Sequence, residues 1–254
     1  MLTVADTAFS IAAVRAEERR RPEGERLFDD PFAALFESAG GHAAEATARY
    51  LALPFFRDGV RLRTRFIDDA VRSALGDGLG QLVLLGAGFD ARGLRMPEIA
   101  ERGARVFEID APGQLGRKQA ALEGAGVTLP DRIAYVPFDF ETPDFEEALA
   151  AAVEARGFRR GAGAIFVWEG VIGYIDGPAI DRSLRFVARA GGPGSRLVYT
   201  AHEGAFEPDT PLVRMRRWGF STCEEEGLDA VWRRHVPGEP PPVAYVSRVG
   251  VAGL

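Results

Sequence analysis

A glycine turn is the first feature of this sequence whose residues could bind a ligand. Residues 81–85 form a short apolar run, and Gly86-Ala87-Gly88 follows it directly. Glycines allow a tight turn and let the backbone approach a ligand with no Cβ in the way, and a helix that starts after them offers free N–H groups. Gly86, Gly88 and Ala91 also satisfy the looser spacing of a dinucleotide-binding turn. Taken alone, the turn predicts either a nucleotide site or a purely structural bend.

Acidic residues follow the next two apolar runs. Asp110 lies about 20 positions beyond the turn, where a carboxylate can accept hydrogen bonds from both ribose hydroxyls. NAD and S-adenosylmethionine share that ribose, so Asp110 favours an adenosine ligand without distinguishing the two. The alternative is that Asp110 is a solvated carboxylate that binds no ligand. Asp139 can accept a hydrogen bond from an adenine amino group, with Phe140 as an apolar wall, or it caps the next helix.

The fourth apolar run ends at a carboxylate that suits a cation. Glu169 follows Trp168 and precedes Gly170. The methionine part of S-adenosylmethionine carries both an ammonium and a sulfonium, whereas NAD has no such ammonium. Four strand ends that each carry a suitable residue coincide by chance far less often than any one of them. Together they favour S-adenosylmethionine over NAD.

These residues need a scaffold of alternating strands and helices to bring them together. Helical segments at 145–154 and 178–189 separate the apolar runs, of which the later ones are 105–109, 133–138, 164–168 and 196–201. Such alternation predicts an α/β fold with a mostly parallel sheet that helices cover on both faces, and ligands bind beyond the C-terminal ends of its strands. Residues 1–75 have a helical pattern, interrupted at 27–31 before a proline.

Length and composition predict one soluble domain. A chain of 254 residues suits a single domain, here 1–254 with a helical region at 1–78 and an α/β core at 79–254. The net charge of -6 disfavours nucleic-acid and membrane partners, and the single cysteine, Cys223, excludes an intramolecular disulfide. The sequence has no zinc-ligand pattern, secretory signal or apolar run of about 20 residues. We therefore expect a cytoplasmic protein without a metal.

The motifs, in this order, resemble those of the leucine carboxyl methyltransferase-like family of class I S-adenosylmethionine-dependent methyltransferases. The resemblance extends from about Thr7 to Ala201. The segments that match the family's motifs are residues 12–17, 29–32, 63–69, 85–90, 107–110 and 168–174. It implies a Rossmann-like seven-stranded, mostly parallel sheet with an N-terminal helical lid. It also implies S-adenosylmethionine as cofactor and S-adenosylhomocysteine as product. Because the family includes O-methyltransferases of polyketide biosynthesis, the resemblance implies O-methylation of a small molecule in secondary metabolism.

The resemblance also implies roles for single residues. Arg63 resembles the arginine that pairs with the methionine carboxylate, which a guanidinium can hold with two charge-assisted hydrogen bonds. Arg15 resembles a second basic contact to that carboxylate, with Arg19 as its rival; either arginine can instead belong to a solvated helix face. The remaining cofactor residues that the resemblance implies are Gly86, Ala87, Gly88 and Asp90 at the turn, Asp110 at the ribose, Asp139 and Phe140 at the adenine, and Glu169 at the methionine end.

The acceptor chemistry stays open at the level of sequence. A carboxylate acceptor is ionised at neutral pH and needs no general base, whereas a phenol or alcohol needs one. His202, just past the fifth run, is a candidate base or simply polar surface. Tyr174 either lines the acceptor pocket or packs against the next helix. The chain departs from the family pattern after Ala201, where it is shorter and proline-rich, although 243–251 can form a terminal strand.

Two other functions compete with methyl transfer. An S-adenosylmethionine-binding protein that has lost catalysis and acts as a regulator would keep Arg63, Asp110 and Glu169. An NAD-dependent oxidoreductase would account for the glycine turn and Asp110, but it would leave Glu169 and Arg63 without a purpose.

Overall fold

One mixed sheet organises the part of the chain that the computed structural model describes, which is residues 4–40, 43–140, 142 and 144–254. Its strands are β1 Gln81–Leu85, β2 Arg105–Asp110, β3 Ile133–Pro137, β4 Ile165–Trp168, β5 Arg196–His202, β6 Thr222–Gly227 and β7 Ser247–Gly253. They lie in the order β3-β2-β1-β4-β5-β7-β6. The first five strands are parallel, and β7 runs antiparallel to β5 and β6. The seven-stranded, mostly parallel sheet is thus confirmed.

Helices cover both faces of the sheet and make up most of the region before it. They are α1 Val4–Arg19, α2 Ala33–Ala39, α3 Ala44–Leu51, α4 Phe56–Gly76, α5 Arg92–Arg95, α6 Pro97–Glu101, α7 Pro112–Gly124, α8 Phe145–Glu154, α9 Gly177–Gly191, α10 Pro211–Arg216 and α11 Leu228–His235. Helices α8 and α9 pack on one face of the sheet, and α4 and α6 pack on the other. Within the described residues, no helix has the length and apolar character needed to cross a bilayer.

The central strands are largely apolar because both of their faces are covered. Every residue of β1 is buried. Val83 packs in the layer of α8 and α9, whereas Leu82 and Leu84 pack in the layer of α4 and α6. Successive side chains of a strand point to opposite faces, so a strand between two helical layers has no polar side. For this reason the four later runs predicted as strands form β2 to β5 within one residue of the expected bounds.

The C-terminal part of the sheet differs from the sequence-based expectation. Strand β6 was not predicted, because its sequence is polar and rich in glutamate. It lies at the sheet edge, where it pairs only with β7 and is half exposed, so it needs no apolar residues. The terminal strand expected within 243–251 begins at Ser247 instead. The preceding segment, Pro242–Val246, forms a 3₁₀ turn with proline at its start.

The N-terminal helices dock on the glycine turn through aromatic rings. Phe89 follows the turn directly and stacks on Phe36 of α2, with ring centroids 4.9 Å apart. Phe9 of α1 contacts the same ring, also with centroids 4.9 Å apart. All three rings are buried, and such pairs contribute about 0.5–1.5 kcal/mol beyond the area that they bury. The helical region therefore lies directly over the turn.

A buried ion pair also contacts the backbone just after the glycine turn. Lys118 of α7 is the single lysine of the chain; it donates to Glu108 of β2 at 2.5 Å and to the backbone carbonyl of Asp90. Burial raises the pKa of Glu108 above its ordinary value, although the Lys118 ammonium opposes the shift. When one partner of a buried pair is removed, the other is left as an uncompensated charge.

We expect Lys118→Met to lower the free energy of unfolding by about 3–5 kcal/mol, because Glu108 then loses its counter-charge in a buried position. The double variant Glu108→Gln/Lys118→Met should recover most of that loss, since it removes both charges. Urea denaturation of the wild type, both single variants and the double variant measures the coupling. A loss below about 1 kcal/mol for Lys118→Met would contradict this account of the pair.

Candidate functional site

A cavity of about 620 Å³ lies at the C-terminal ends of β1, β2 and β4. The glycine turn, Asp110 and Phe140 line it from the sheet, and Arg15 of α1 and Arg63 of α4 line it from the helical region. This main cavity occupies the place where open α/β sheets bind their ligands. Its volume is typical of a site for a small molecule or cofactor.

The glycine turn is bound to the end of β2 by three backbone N–H groups. The amides of Gly86 and Ala87 both donate to the carbonyl of Ile109 at 2.9 Å. The amide of Gly88 donates to Oδ2 of Asp110 at 2.6 Å. Gly86 has a φ of 73°, and a Cβ at this position would lie 2.7 Å from Cγ2 of Val171. The conformation and the space at Gly86 both require glycine.

Asp110 is fixed at the rim of the main cavity by its own backbone surroundings. Oδ2 accepts from Gly88, and Oδ1 accepts from the amide of Ala111 at 2.7 Å. Burial raises the pKa of Asp110 above its ordinary value, although these two N–H groups act in the opposite direction. A carboxylate oxygen has more than one acceptor site, so each oxygen retains capacity for a ligand hydroxyl.

Glu169, directly after β4, is held by three guanidinium groups. Arg15 Nη2 contacts both carboxylate oxygens, at 2.9 and 3.0 Å. Arg63 Nε lies 3.0 Å from Oε1, and Arg92 Nη1 lies 2.8 Å from Oε2. Burial alone would raise the pKa of Glu169, but the charges of Arg15, Arg92 and Arg63 outweigh burial and hold it far below its usual range. The group is therefore a carboxylate. We call Glu169 with these three arginines the arginine cluster.

The arginine cluster carries more positive than negative charge on the side of the main cavity. Arg92 is fully buried and also pairs with Asp68 and Asp90, so its charge is compensated within the protein. Arg15 and Arg63, in contrast, share the single carboxylate of Glu169. Nη2 of Arg63 is buried and has no hydrogen-bond partner among the residues that the structure describes. An anionic group in the main cavity would satisfy both the charge and this donor.

The structure distinguishes the two candidate arginines, Arg15 and Arg19, and shows where the predicted adenine residues lie. Arg15 faces the main cavity, whereas Arg19 lies on the surface and pairs with Asp29 at 2.8 Å. Phe140 lines the cavity, while Asp139 beside it is exposed. The role of Asp139 at the adenine stays a prediction.

Arg92 was missed by sequence reasoning. It lies six positions after the start of the turn, in a short helix. Its distance along the chain from the other site residues does not indicate a role in the site. A signal is absent because two of its partners, Asp68 and Glu169, come from distant parts of the chain, which only the folded protein brings together.

A second cavity, of about 470 Å³, adjoins the first at the ends of β4 and β5. Arg63, Gly170 and Tyr174 line both cavities, and we call these three residues the junction. Tyr174 is half exposed, and its hydroxyl lies 3.3 Å from Oγ1 of Thr7. His202 is exposed and lines the second cavity, where its Nδ1 lies near Gly173.

Comparison with known proteins identifies the family. The family model described as leucine carboxyl methyltransferase matches residues 8–188. The chain belongs to this family. A relative from Frankia alni is 39% identical over 227 residues, which are 87% of this chain and 77% of that protein. A relative from Parafrankia is 37% identical over 212 residues, 80% of this chain and 65% of that protein. Both are named "Putative S-adenosyl-L-methionine-dependent methyltransferase".

Solved structures share the fold at low sequence identity. A DUF574-family protein from Streptomyces avermitilis has a TM-score of 0.60 and 14% identity, with 97% of this chain and 96% of that chain covered. A structure from Thermobifida fusca, described as a "putative methyltransferase", has a TM-score of 0.53 and 16% identity, with 99% and 94% covered. Similarity at this level of identity concerns the architecture alone.

Family membership makes S-adenosylmethionine the cofactor, and the residues of the main cavity fit it. Gly86 lines the main cavity and presents no side chain to a ligand there. The unpartnered donor of Arg63 suits a carboxylate, and Glu169 suits an ammonium; the amino-acid end of this cofactor has both groups. The contacts of single residues with the cofactor remain predictions.

We expect Gly86→Ala to weaken S-adenosylmethionine binding at least tenfold, because the new Cβ collides with Val171 and strains a left-handed residue by about 1–2 kcal/mol. Gly103→Ala is the matched control, since Gly103 has a φ of 62° and no atom lies within 4 Å of the position that its Cβ would take. Both variants should lose a similar free energy of unfolding, because alanine strains the backbone at a positive φ. Only Gly86→Ala should lose affinity for S-adenosylmethionine in calorimetric titration. Equal affinities for the two variants would contradict a cofactor contact at Gly86.

Proposed function

We propose that this chain transfers a methyl group from S-adenosylmethionine to an oxygen atom of a small molecule. The observation that carries the proposal is the junction, where a cavity suited to the cofactor meets a second cavity beside the arginine cluster. Methyl transfer needs the acceptor atom and the methyl carbon in line at about 3–3.5 Å, and two adjoining cavities with a shared wall suit that requirement. The cofactor supplies a methyl group activated by its positive sulfur.

The main cavity offers partners for the ribose and for the amino-acid end of the cofactor. Asp110 would accept hydrogen bonds from the ribose hydroxyls. Glu169 would face the ammonium, and Arg15 with Arg63 would hold the carboxylate through charge-assisted hydrogen bonds. The cofactor's carboxylate would accept a hydrogen bond from Nη2 of Arg63, which has no partner among the described residues. NAD has no amino-acid end to do this, which supports methyl transfer over hydride transfer.

The acceptor oxygen that the site suits best is a carboxylate. A carboxylic acid has a pKa near ~4 and is ionised at neutral pH, so it can accept a methyl group without a general base. The charged side chains that line the second cavity within the described residues are Arg63 and Arg248, so no acidic side chain there repels such an anion. A hydroxyl acceptor is the second candidate, because His202 lines the second cavity and could accept the hydroxyl proton.

Labelled methyl transfer tests the proposal. Protein, S-adenosylmethionine with an isotopic methyl group, and a panel of carboxylic acids, phenols, alcohols, amines and thiols are incubated, and the products are separated by mass. We expect methyl esters or ethers. Cofactor binding without transfer to any acceptor would favour the regulatory protein, and products methylated on nitrogen or sulfur would contradict the proposed oxygen chemistry.

We expect Asp110→Asn to raise the KM for S-adenosylmethionine about 10- to 100-fold, because a neutral amide replaces the charged acceptor and charged hydrogen bonds contribute about 1.5–3 kcal/mol. Asp77→Asn is the control, since Asp77 is exposed and pairs with Arg196 at the start of β5, the opposite end of that strand from the cavities. Steady-state kinetics at saturating acceptor measure both. An unchanged KM in Asp110→Asn would contradict the ribose contact.

A further inference from the structure

We propose that Gln114 of α7 selects the adenine base of the cofactor, with its amide oxygen accepting from the exocyclic amino group and its amide nitrogen donating to a neighbouring ring nitrogen. The inference rests on the proposed function, which puts the ribose at Asp110, and adds to it the residue that distinguishes the base. It is drawn from the burial of the Gln114 amide, its lack of partners and its position in the main cavity.

The side chain of Gln114 is buried and lacks hydrogen-bond partners. Gln114 is 8% exposed, and neither Oε1 nor Nε2 has a partner among the residues that the structure describes. A buried polar group without a partner costs free energy, so native proteins pair almost all of them. An amide that leaves both its donor and its acceptor unpaired points to a ligand that supplies partners for both.

The position of Gln114 connects it to the adenosine end of the cofactor. It is the third residue of α7, four positions after Asp110, and both residues line the main cavity. Among the described residues that line this cavity, Gln114 and Arg63 are the two with buried side-chain polar atoms that lack a partner. Arg63 belongs to the arginine cluster, where the amino-acid end would bind, so Gln114 remains for the adenosine end.

The hydrogen-bond donors of adenosine indicate which part of it would pair with Gln114. Adenosine within the cofactor has donors at the two ribose hydroxyls and at the amino group of adenine. Because the hydroxyl protons would go to Asp110, the amino group is the donor left for Oε1 of Gln114. A ring nitrogen beside the amino group accepts a hydrogen bond and would pair with Nε2. A glutamine amide carries a donor and an acceptor side by side and can bind this edge of adenine through both.

The main cavity also offers aromatic rings against which a base can pack. Phe140, Phe145 and Phe186 line it. The ring centroids of Phe140 and Phe145 are 6.1 Å apart, and those of Phe145 and Phe186 are 6.4 Å apart. Stacking on aromatic rings tolerates any base, because every base has a π-face. Selection of adenine therefore needs hydrogen bonds to its edge, which Gln114 can supply.

Other polar residues that could pair with the base are exposed or have partners. Asp139, the acceptor that the sequence favours for the adenine amino group, is exposed and absent from the described lining of the main cavity. Asp176 lines the cavity but is exposed, and its Oδ1 accepts from the amide of Ala179 at 2.8 Å. The hydroxyl of Ser183 donates to the carbonyl of Ala179 at 3.0 Å. Gln114, in contrast, has both amide groups available.

Ligand analogues that lack one polar group test the inference. Calorimetry measures the affinities of S-adenosylhomocysteine, of its 6-deamino analogue, in which hydrogen replaces the amino group, and of its 2′-deoxy analogue. We expect the wild type to bind the 6-deamino analogue about 10- to 100-fold more weakly than S-adenosylhomocysteine. In Gln114→Met, whose apolar side chain has a similar length, this difference should fall to about threefold or less. The penalty for the 2′-deoxy analogue should persist, because Asp110 is unchanged.

Gln119→Met is the matched control for Gln114→Met. Gln119 lies in the same helix, but it is exposed and its Nε2 donates to Glu123 at 2.8 Å. This variant should keep the wild-type affinities for all three ligands. The inference is wrong if Gln114→Met discriminates against the 6-deamino analogue as strongly as the wild type does. It is also wrong if Gln114→Met loses the penalty for the 2′-deoxy analogue instead, since Gln114 would then contact the ribose.

Thermal unfolding of the ligand-free protein distinguishes a binding role from a packing role. Gln114→Met removes two buried polar atoms that lack partners, so we expect the Tm of the ligand-free protein to rise by about 2–4 °C. A lower Tm would show that the amide has a partner in the ligand-free protein and would overturn the inference.

The labelled methyl-transfer assay separates this inference from the proposed function. A protein that selects adenine through Gln114 but methylates no acceptor would support the inference and refute the proposed function. Methyl transfer to oxygen, with a selection against the 6-deamino analogue that does not depend on Gln114, would refute the inference alone.

Discussion

The ion pairs around Glu169 are the interaction on which the site depends. One carboxylate at the end of β4 accepts from Arg15 of α1, Arg63 of α4 and Arg92 after the glycine turn. Buried guanidinium groups are tolerated only where anions face them, so Glu169 links two helices of the helical region to the sheet. Without it, the neighbouring cations Arg15 and Arg63 would repel each other, since both contact Oε1 of Glu169.

The arginine cluster would also determine the orientation in which a ligand binds in the main cavity. Asp110, Arg15 and Arg63 line the main cavity, and the carboxylate differs in charge from the two guanidinium groups, so a ligand with a ribose and a zwitterionic amino acid would bind in one orientation. In the function we propose, that orientation would bring the methionine end toward the junction, where the second cavity begins. The buried pair of Lys118 with Glu108 and the ring contacts of Phe89 keep the intervening turn in place.

Sequence patterns were sufficient for the elements whose residue types follow from their place in the fold. The buried strands were recognisable because both faces are apolar, and Asp110 and Glu169 were recognisable because parallel strands end at one edge. Strand β6 was not, because an exposed edge strand need not be apolar. Arg92 and the second cavity were missed because both arise from contacts between distant segments, which no spacing along the chain records.

The central claim is that the arginine cluster binds the carboxylate of the cofactor. Calorimetric titration with S-adenosylmethionine and with its decarboxylated analogue, which keeps the adenosine, the sulfonium and the amine, tests it directly. We predict that the analogue binds about 10- to 100-fold more weakly, since charged hydrogen bonds from Arg15 and Arg63 contribute about 1.5–3 kcal/mol. Equal affinities for the two compounds would contradict the account.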